Sequence, residues 1–260
     1  MDHSIIYHKQ TIDKRPQMMR LSQGMVKKIQ RNFCKITNHT SLHPDIILSD
    51  ENREKCIKNL KIFRSLSEST ENTKKAAVLV PLCLHNNELG LLYTLRSRKL
   101  NTNRGQVSFP GGIRDIEDKS FEDTALRETW EELKIPKDKV IIWSSATLIG
   151  RKHVNVMPIL GYIGHVHPEH LKVNPQEVEE AFVVSLKNLC DPKQCSFTQF
   201  RNNYTLPTYL GGKYRIWGLT ALITHIIMKA LVPNVYRHEL PFLQPIEQRV
   251  KISENNKPLT

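Results

Sequence analysis

Gly111-Gly112-Ile113-Arg114-Asp115-Ile116-Glu117-Asp118-Lys119-Ser120-Phe121-Glu122-Asp123-Thr124-Ala125-Leu126-Arg127-Glu128-Thr129-Trp130-Glu131-Glu132-Leu133-Lys134-Ile135 is the stretch on which the reading of this chain turns. The two glycines follow Phe109-Pro110 and open an acidic loop with Asp115, Glu117 and Asp118. Thr124 to Leu133 then reads as a helix. Glu128 and Glu132 stand four apart, so their carboxylates share a face, and Glu131 borders it. Acids this close repel one another unless something positive sits among them. A hard divalent cation with oxygen ligands does this best, and Mg²⁺ also takes phosphate oxygens. Arg127, four before Glu131, is placed to hold that carboxylate by an intrahelical ion pair. Leu126, Trp130 and Leu133 are expected to form the side that the helix buries.

On its amino-terminal side, Ala76 to Cys83 reads as a buried strand, Asn86-Asn87 as a turn and Leu89 to Leu95 as a returning strand, together a hairpin. Glu51 to Leu66 reads as a helix. Beyond the quoted stretch, residues 140–149 and 155–165 read as strands, Val178 to Leu186 as a shorter one, and residues 217–231 as a mainly apolar helix. Strands and helices mix without regular alternation, which favours a mixed sheet between helices over a doubly wound fold. The expected domain spans residues 46–236, with a polar tail over 237–260.

Residues 1–45 are different in kind. Met18, Leu21, Met25, Ile29, Phe33 and Ile36 recur at steps of three and four, with Arg20, Lys27, Lys28, Arg31 and Lys35 between them. This basic amphipathic pattern, poor in acid, is expected to be a mitochondrial targeting segment. Half of the net surplus of +12 lies in residues 1–40. The chain ends Pro258-Leu259-Thr260, which does not fit the Ser-Lys-Leu type of peroxisomal address. No stretch approaches ~20 consecutive apolar residues, so a membrane span is not expected. The cysteines, Cys34, Cys56, Cys83, Cys190 and Cys195, form no C-x-x-C pair, and five is an odd number. A disulfide framework or structural zinc site is therefore not expected. Ser108 has no evident His/Asp partners, which argues against a serine nucleophile.

Gly112 through Ile135 resembles the Nudix box, G-x5-E-x7-R-E-U-x-E-E-x-G-U, where U is a bulky apolar residue. Arg127-Glu128-x-x-Glu131-Glu132 matches fully. Asp118 stands at the first Glu position, with eight residues rather than seven before Arg127. Thr129 replaces the first bulky residue and Lys134 the helix-ending Gly. Leu95-Arg96-Ser97, Leu100 and Gly105-Gln106-Val107-Ser108-Phe109-Pro110-Gly111-Gly112 are similar to the signature of the coenzyme A diphosphatase branch. Asn174-Pro175-x-Glu177-Val178, Tyr204-Thr205-Leu206-Pro207 and Arg215 to Thr220 extend the likeness toward the mitochondrial members of that branch.

The resemblance implies an α/β/α Nudix sandwich with a mixed β-sheet. It implies Mg²⁺ or Mn²⁺ held by Glu128 and Glu132, helped by Glu131 and a Gly111 or Gly112 carbonyl. The implied reaction is hydrolysis of coenzyme A or acyl-coenzyme A to 3′,5′-ADP and 4′-phosphopantetheine or its acyl form. Glu177, ahead of Glu180, is the expected general base, with Glu131 the other catalytic carboxylate. Arg96, Arg98, Lys99 and Arg104 are candidates for phosphate contacts. Two alternatives stay open: a Nudix hydrolase of another substrate, such as ADP-ribose or a capped RNA end, and an inactive nucleic-acid-binding module. The intact acids argue against the second, and no stable nucleic-acid partner is expected.

Overall fold

A computed structural model describes residues 42–64, 74–151, 154–199 and 205–240. A short helical turn, α1 (Pro44–Ile47), and a longer helix, α2 (Asp50–Arg64), come first. The hairpin follows as β1 (Lys74–His85) and β2 (Glu88–Arg96). Asn86 and Asn87, at φ 50° and 62°, close it as a two-residue turn, a conformation that Asn tolerates better than most residues. β3 (Val107–Ser108) and β4 (Gly111–Ile113) lead to helix α3 (Phe121–Leu133). After it come β5 (Ile141–Ser145), β6 (Ile149–Arg151), β7 (Val154–His165), β8 (Val178–Ser185) and α4 (Leu186–Cys190). The hairpin β9 (Cys195–Gln199) and β10 (Thr205–Tyr209) and helix α5 (Gly218–Leu231) complete the order.

The main sheet runs β3-β2-β1-β7-β5, with β4 on β1, β6 on β7 and β8 on β2. Among the described residues only β1 and β7 pair in parallel, so the sheet is mixed as expected. β1 alternates faces: Ala76, Val80 and Leu82 join one core with α2 and α5, while Ala77, Leu79 and Cys83 join another with Ala125 and Leu133 of α3. A strand buried on both faces reads as an unbroken apolar run, which is how β1 is legible. These are the three layers of the expected sandwich. Among the described residues no helix is long and apolar enough to cross a membrane.

Several expectations need correction. The strand expected over 140–149 is broken into β5 and β6. Ser145 faces Ile159 and Ile149 faces Val156, so this strand uses one residue more than β7, a bulge at 146–148. The expected side of α3 holds only for Leu133. Ala125, Thr129 and Leu133 are buried, whereas Trp130 is 47% exposed. Thr129 tolerates burial because its hydroxyl donates to the Ala125 carbonyl at 2.7 Å. The hairpin β9–β10 was not expected. At the start of the expected polar tail, Leu240 is buried and Glu239 accepts an ion pair from Lys229 at 2.7 Å. The helix expected over Met18 to Ile36, residues 65–66 and residues 241–260 lie outside the described residues.

Candidate active site

The Gly-Gly pair brings the box helix against the sheet. β4 pairs with β1 through Gly111 opposite Val78 and Gly112 opposite Ala77. Gly111 has φ 152°, and a Cβ there would sit 2.3 Å from the Ala77 carbonyl oxygen. A Cβ on Gly112 would meet the Glu128 carboxylate at 2.3 Å. The glycines thus leave room for a backbone on one side and an acid on the other.

Ser120 caps α3 by accepting from the Asp123 N–H at 3.0 Å. At the other end Lys134 occupies the left-handed conformation, φ 55° and ψ 29°, and donates its N–H to Trp130 O at 2.9 Å. The helix therefore ends as a Gly would end it, at a cost of about 1 kcal/mol.

Arg127 is a hub. Its Nε and Nη2 donate to the two Asp118 carboxylate oxygens at 3.0 and 2.9 Å. Nη1 reaches Glu128 at 3.1 Å and Glu131 at 3.2 Å, and Nη2 also reaches the Ile113 carbonyl at 3.1 Å. The bidentate grip explains Asp118: a loop one residue longer carries a side chain one methylene shorter to the same guanidinium. The Arg127 contacts hold the Asp118 carboxyl well below the usual carboxylate range.

Glu128, Glu132 and Glu177 bring carboxylate oxygens within 4.8 Å of one another. Glu132 is 2% exposed, and burial pushes its carboxyl up to about 8, opposed by the Arg96 guanidinium. Burial also raises Glu128, opposed by Arg127. One Glu132 oxygen, Oε2, is buried without a hydrogen-bond partner. Three crowded acids, an all-oxygen donor set and an orphaned buried oxygen fit a hard divalent cation.

Asn174 places the third acid. Its Nδ2 donates to Glu177 Oε1 at 3.0 Å, its carbonyl accepts the Glu177 N–H at 3.0 Å, and its own N–H donates to Glu132 O at 2.8 Å. From the other side Ser97 N–H donates to Glu177 O at 2.8 Å. The loop before β8 is thereby tied both to the end of α3 and to the end of β2.

The three acids lie in a cleft of about 640 Å³ that Arg96, Gly111 and Gly112 also line. An apolar wall of Val154, Val156, Trp217, Leu219 and Ile223 also lines it. Of the acids expected at the metal, Glu131 lies outside the cluster: it is 44% exposed and held by Arg127. Glu177, expected as a base, lies within it. Glu180 is drawn off by Lys213 at 2.7 Å. Arg98 is exposed and 3.5 Å from Glu179, while Lys99 and Arg104 are exposed outside the cleft lining. Ser108 lines the cleft, but its hydroxyl is bonded to that of Thr94 at 2.9 Å. Sequence reasoning missed Asp118 as the partner of Arg127, Asn174 as the holder of Glu177, and the apolar wall. The Asn174-x-x-Glu177 spacing was the only advance signal for the second of these.

A three-layer sandwich with an acid cluster on the box helix defines a Nudix hydrolase domain. The NUDIX domain model matches residues 73–202, and the chain belongs to this family of divalent-metal hydrolases. Among curated relatives, the chain is similar to the mitochondrial coenzyme A diphosphatase NUDT8 of Mus musculus, 39% identical over 199 residues. That alignment covers 74% of this chain and 94% of the mouse protein. The Homo sapiens protein of the same name is 40% identical over 171 residues, covering 64% of this chain and 72% of its own. Nudix hydrolase 3 of Caenorhabditis elegans is 34% identical over 215 residues, covering 72% and 88%.

Proposed function

We propose that this protein hydrolyses the diphosphate bond of coenzyme A or acyl-coenzyme A, giving 3′,5′-ADP and 4′-phosphopantetheine or its acyl form. The observation that carries the reaction class is the meeting of Glu128, Glu132 and Glu177 beside Arg96 in one cleft. The substrate rests on the names of the NUDT8 relatives and on Leu95 to Ser97 and Gly105 to Gly112.

In this reading the three acids would hold Mg²⁺ or Mn²⁺, whose charge would neutralise the diphosphate oxygens and activate water toward phosphorus. Arg96, partly buried and lining the cleft, would meet the phosphate oxygens. Arg127 keeps Glu128 oriented. Glu131, beside the cluster and paired with Arg127, would accept the proton of the attacking water, and Glu177 would take that role only where it is released from the metal. Val154, Val156, Trp217 and Leu219 offer an apolar surface to the less charged limb of the substrate.

The same proposal places the protein in the mitochondrion, on the strength of the relatives' names and the basic amphipathic pattern within residues 1–45. Residues 46–236 would then be the catalytic domain and 237–260 a polar tail. The test is mass spectrometry of products after incubation with coenzyme A and Mg²⁺ or Mn²⁺. A pair of 3′,5′-ADP and 4′-phosphopantetheine supports the reading. Intact coenzyme A beside cleaved ADP-ribose overturns the substrate.

A further inference from the structure

A second group of metal-ligating side chains lies at the opposite end of β1 from the carboxylates. Val78 pairs with Gly111 at the catalytic end, and His85 closes the strand seven residues on, roughly 23 Å at 3.3 Å per residue. There β1 and β7 end side by side, with Leu84 opposite His165. The chain leaves β7 through Val166 and His167 and makes a single 3₁₀ turn, Pro168–His170. In a 3₁₀ turn residues three apart eclipse, which puts His167 and His170 on one edge. Their ring centroids are 5.5 Å apart. Glu169 joins them, with Oε1 3.6 Å from His167 Nδ1. One ligand atom from each of the three residues lies within 4.8 Å of the others, and all three side chains face solvent.

The turn is held in place. Val166 N–H donates to Leu84 O at 2.9 Å, and the Val166 carbonyl accepts from His85 Nδ1 at 2.9 Å. His85 Nε2 in turn accepts from Asn86 Nδ2 at 3.1 Å, so His85 acts as a brace behind the ring of His167, whose centroid is 6.2 Å away.

We propose that His167, Glu169 and His170 form a second metal site, for a borderline transition ion of the Zn²⁺ class. The donor chemistry separates the two sites. Two imidazoles and one carboxylate suit Zn²⁺, Co²⁺ or Cu²⁺, whereas the all-oxygen set of Glu128, Glu132 and Glu177 suits Mg²⁺ or Mn²⁺. Three protein ligands on an exposed turn leave further positions to water. An ion here would fasten the start of residues 166–177, the connection that delivers Glu177.

The test uses the full chain, stripped of metal and returned to excess Mg²⁺, with Zn²⁺ added in a calorimeter. One Zn²⁺ is expected to bind under Mg²⁺ excess. The H167A/H170A double variant should weaken it by at least about tenfold, the scale on which even outer partners of a metal act. Both residues are exposed, so the metal-free melting temperature of that variant should stay unchanged, which checks its fold. Glu128→Gln should leave the Zn²⁺ isotherm intact. Absence of Zn²⁺ binding, unchanged binding in the double variant, or its loss in Glu128→Gln alone would overturn the assignment.

Discussion

Glu132→Gln separates the two things that a buried acid does here. Glu132 is 2% exposed with one oxygen unpartnered, and burial raises its carboxyl to about 8. A folded value above the ordinary 4.5 means that the metal-free fold is favoured when Glu132 is protonated. That contribution is complete below about 4.5 and is lost as pH rises toward 8. Charging the acid in the fold then costs a few kcal/mol, at about 1.4 kcal/mol for each factor of ten. Gln keeps the shape and cannot charge. The metal-free variant should therefore melt higher than wild type at pH 8 and nearly equal to it at pH 4.5. Its activity should nevertheless fall by ~10²-fold or more, because several kcal/mol of transition-state stabilisation go with the ligating charge. Mg²⁺ should raise the melting temperature of wild type at pH 8 much more than that of the variant. The assays are thermal melts with and without Mg²⁺ at the two pH values, and coenzyme A turnover at saturating metal. Near-wild-type turnover, or a metal-free variant less stable than wild type at pH 8, would refute the reasoning.

Asp118→Asn should destabilise the fold by roughly 1–3 kcal/mol at pH 7, since Arg127 keeps its other partners but loses a bidentate one. The depressed Asp118 value means that this stability is present above about pH 4 and is lost as pH falls further, so wild type and variant should converge in acid melts. Lys134→Gly should stabilise by about 1 kcal/mol in urea titrations, because it removes the side chain from a left-handed position. Asn174→Ala should lower kcat by roughly tenfold while leaving the melt cooperative, as Glu177 loses its side-chain donor; an unchanged kcat would detach Glu177 from the chemistry. Coenzyme A should be cleaved with kcat/KM roughly tenfold or more above 3′-dephospho-coenzyme A. The loop holding Arg98, Lys99 and Arg104 borders the cleft through Thr102 and Asn103, and steady-state kinetics on both substrates decides the point.

What could be read in advance was local. Gly111-Gly112 and the acids of α3 sit at spacings within one loop and one helix, so their geometry follows from backbone periodicity alone. β1 announced itself because both faces are buried. The failures are of two physical kinds. Thr129 stands where the box has a bulky apolar residue, yet its hydroxyl donates to the carbonyl one turn back and it packs like an apolar group, so Ala125 and Thr129 join Leu133 on the buried side in place of the expected Leu126 and Trp130. The bulge at 146–148 has no composition signal, because it arises from register against β7.

The other kind is the choice between Glu131 and Glu177, which helical spacing cannot make. Glu131 lies four residues after Arg127 and is within reach of its guanidinium, so the nearest cation claims it. Glu177 lies 45 residues beyond Glu132 in sequence, and Asn174, bonded to the last turn of α3, closes that distance together with Ser97 at the end of β2. A third carboxylate beside Glu128 and Glu132 is thus a property of the β7–β8 connection and not of the box. That connection also carries His167, Glu169 and His170, so the segment that completes the catalytic acids is the one on which the second metal is proposed to act.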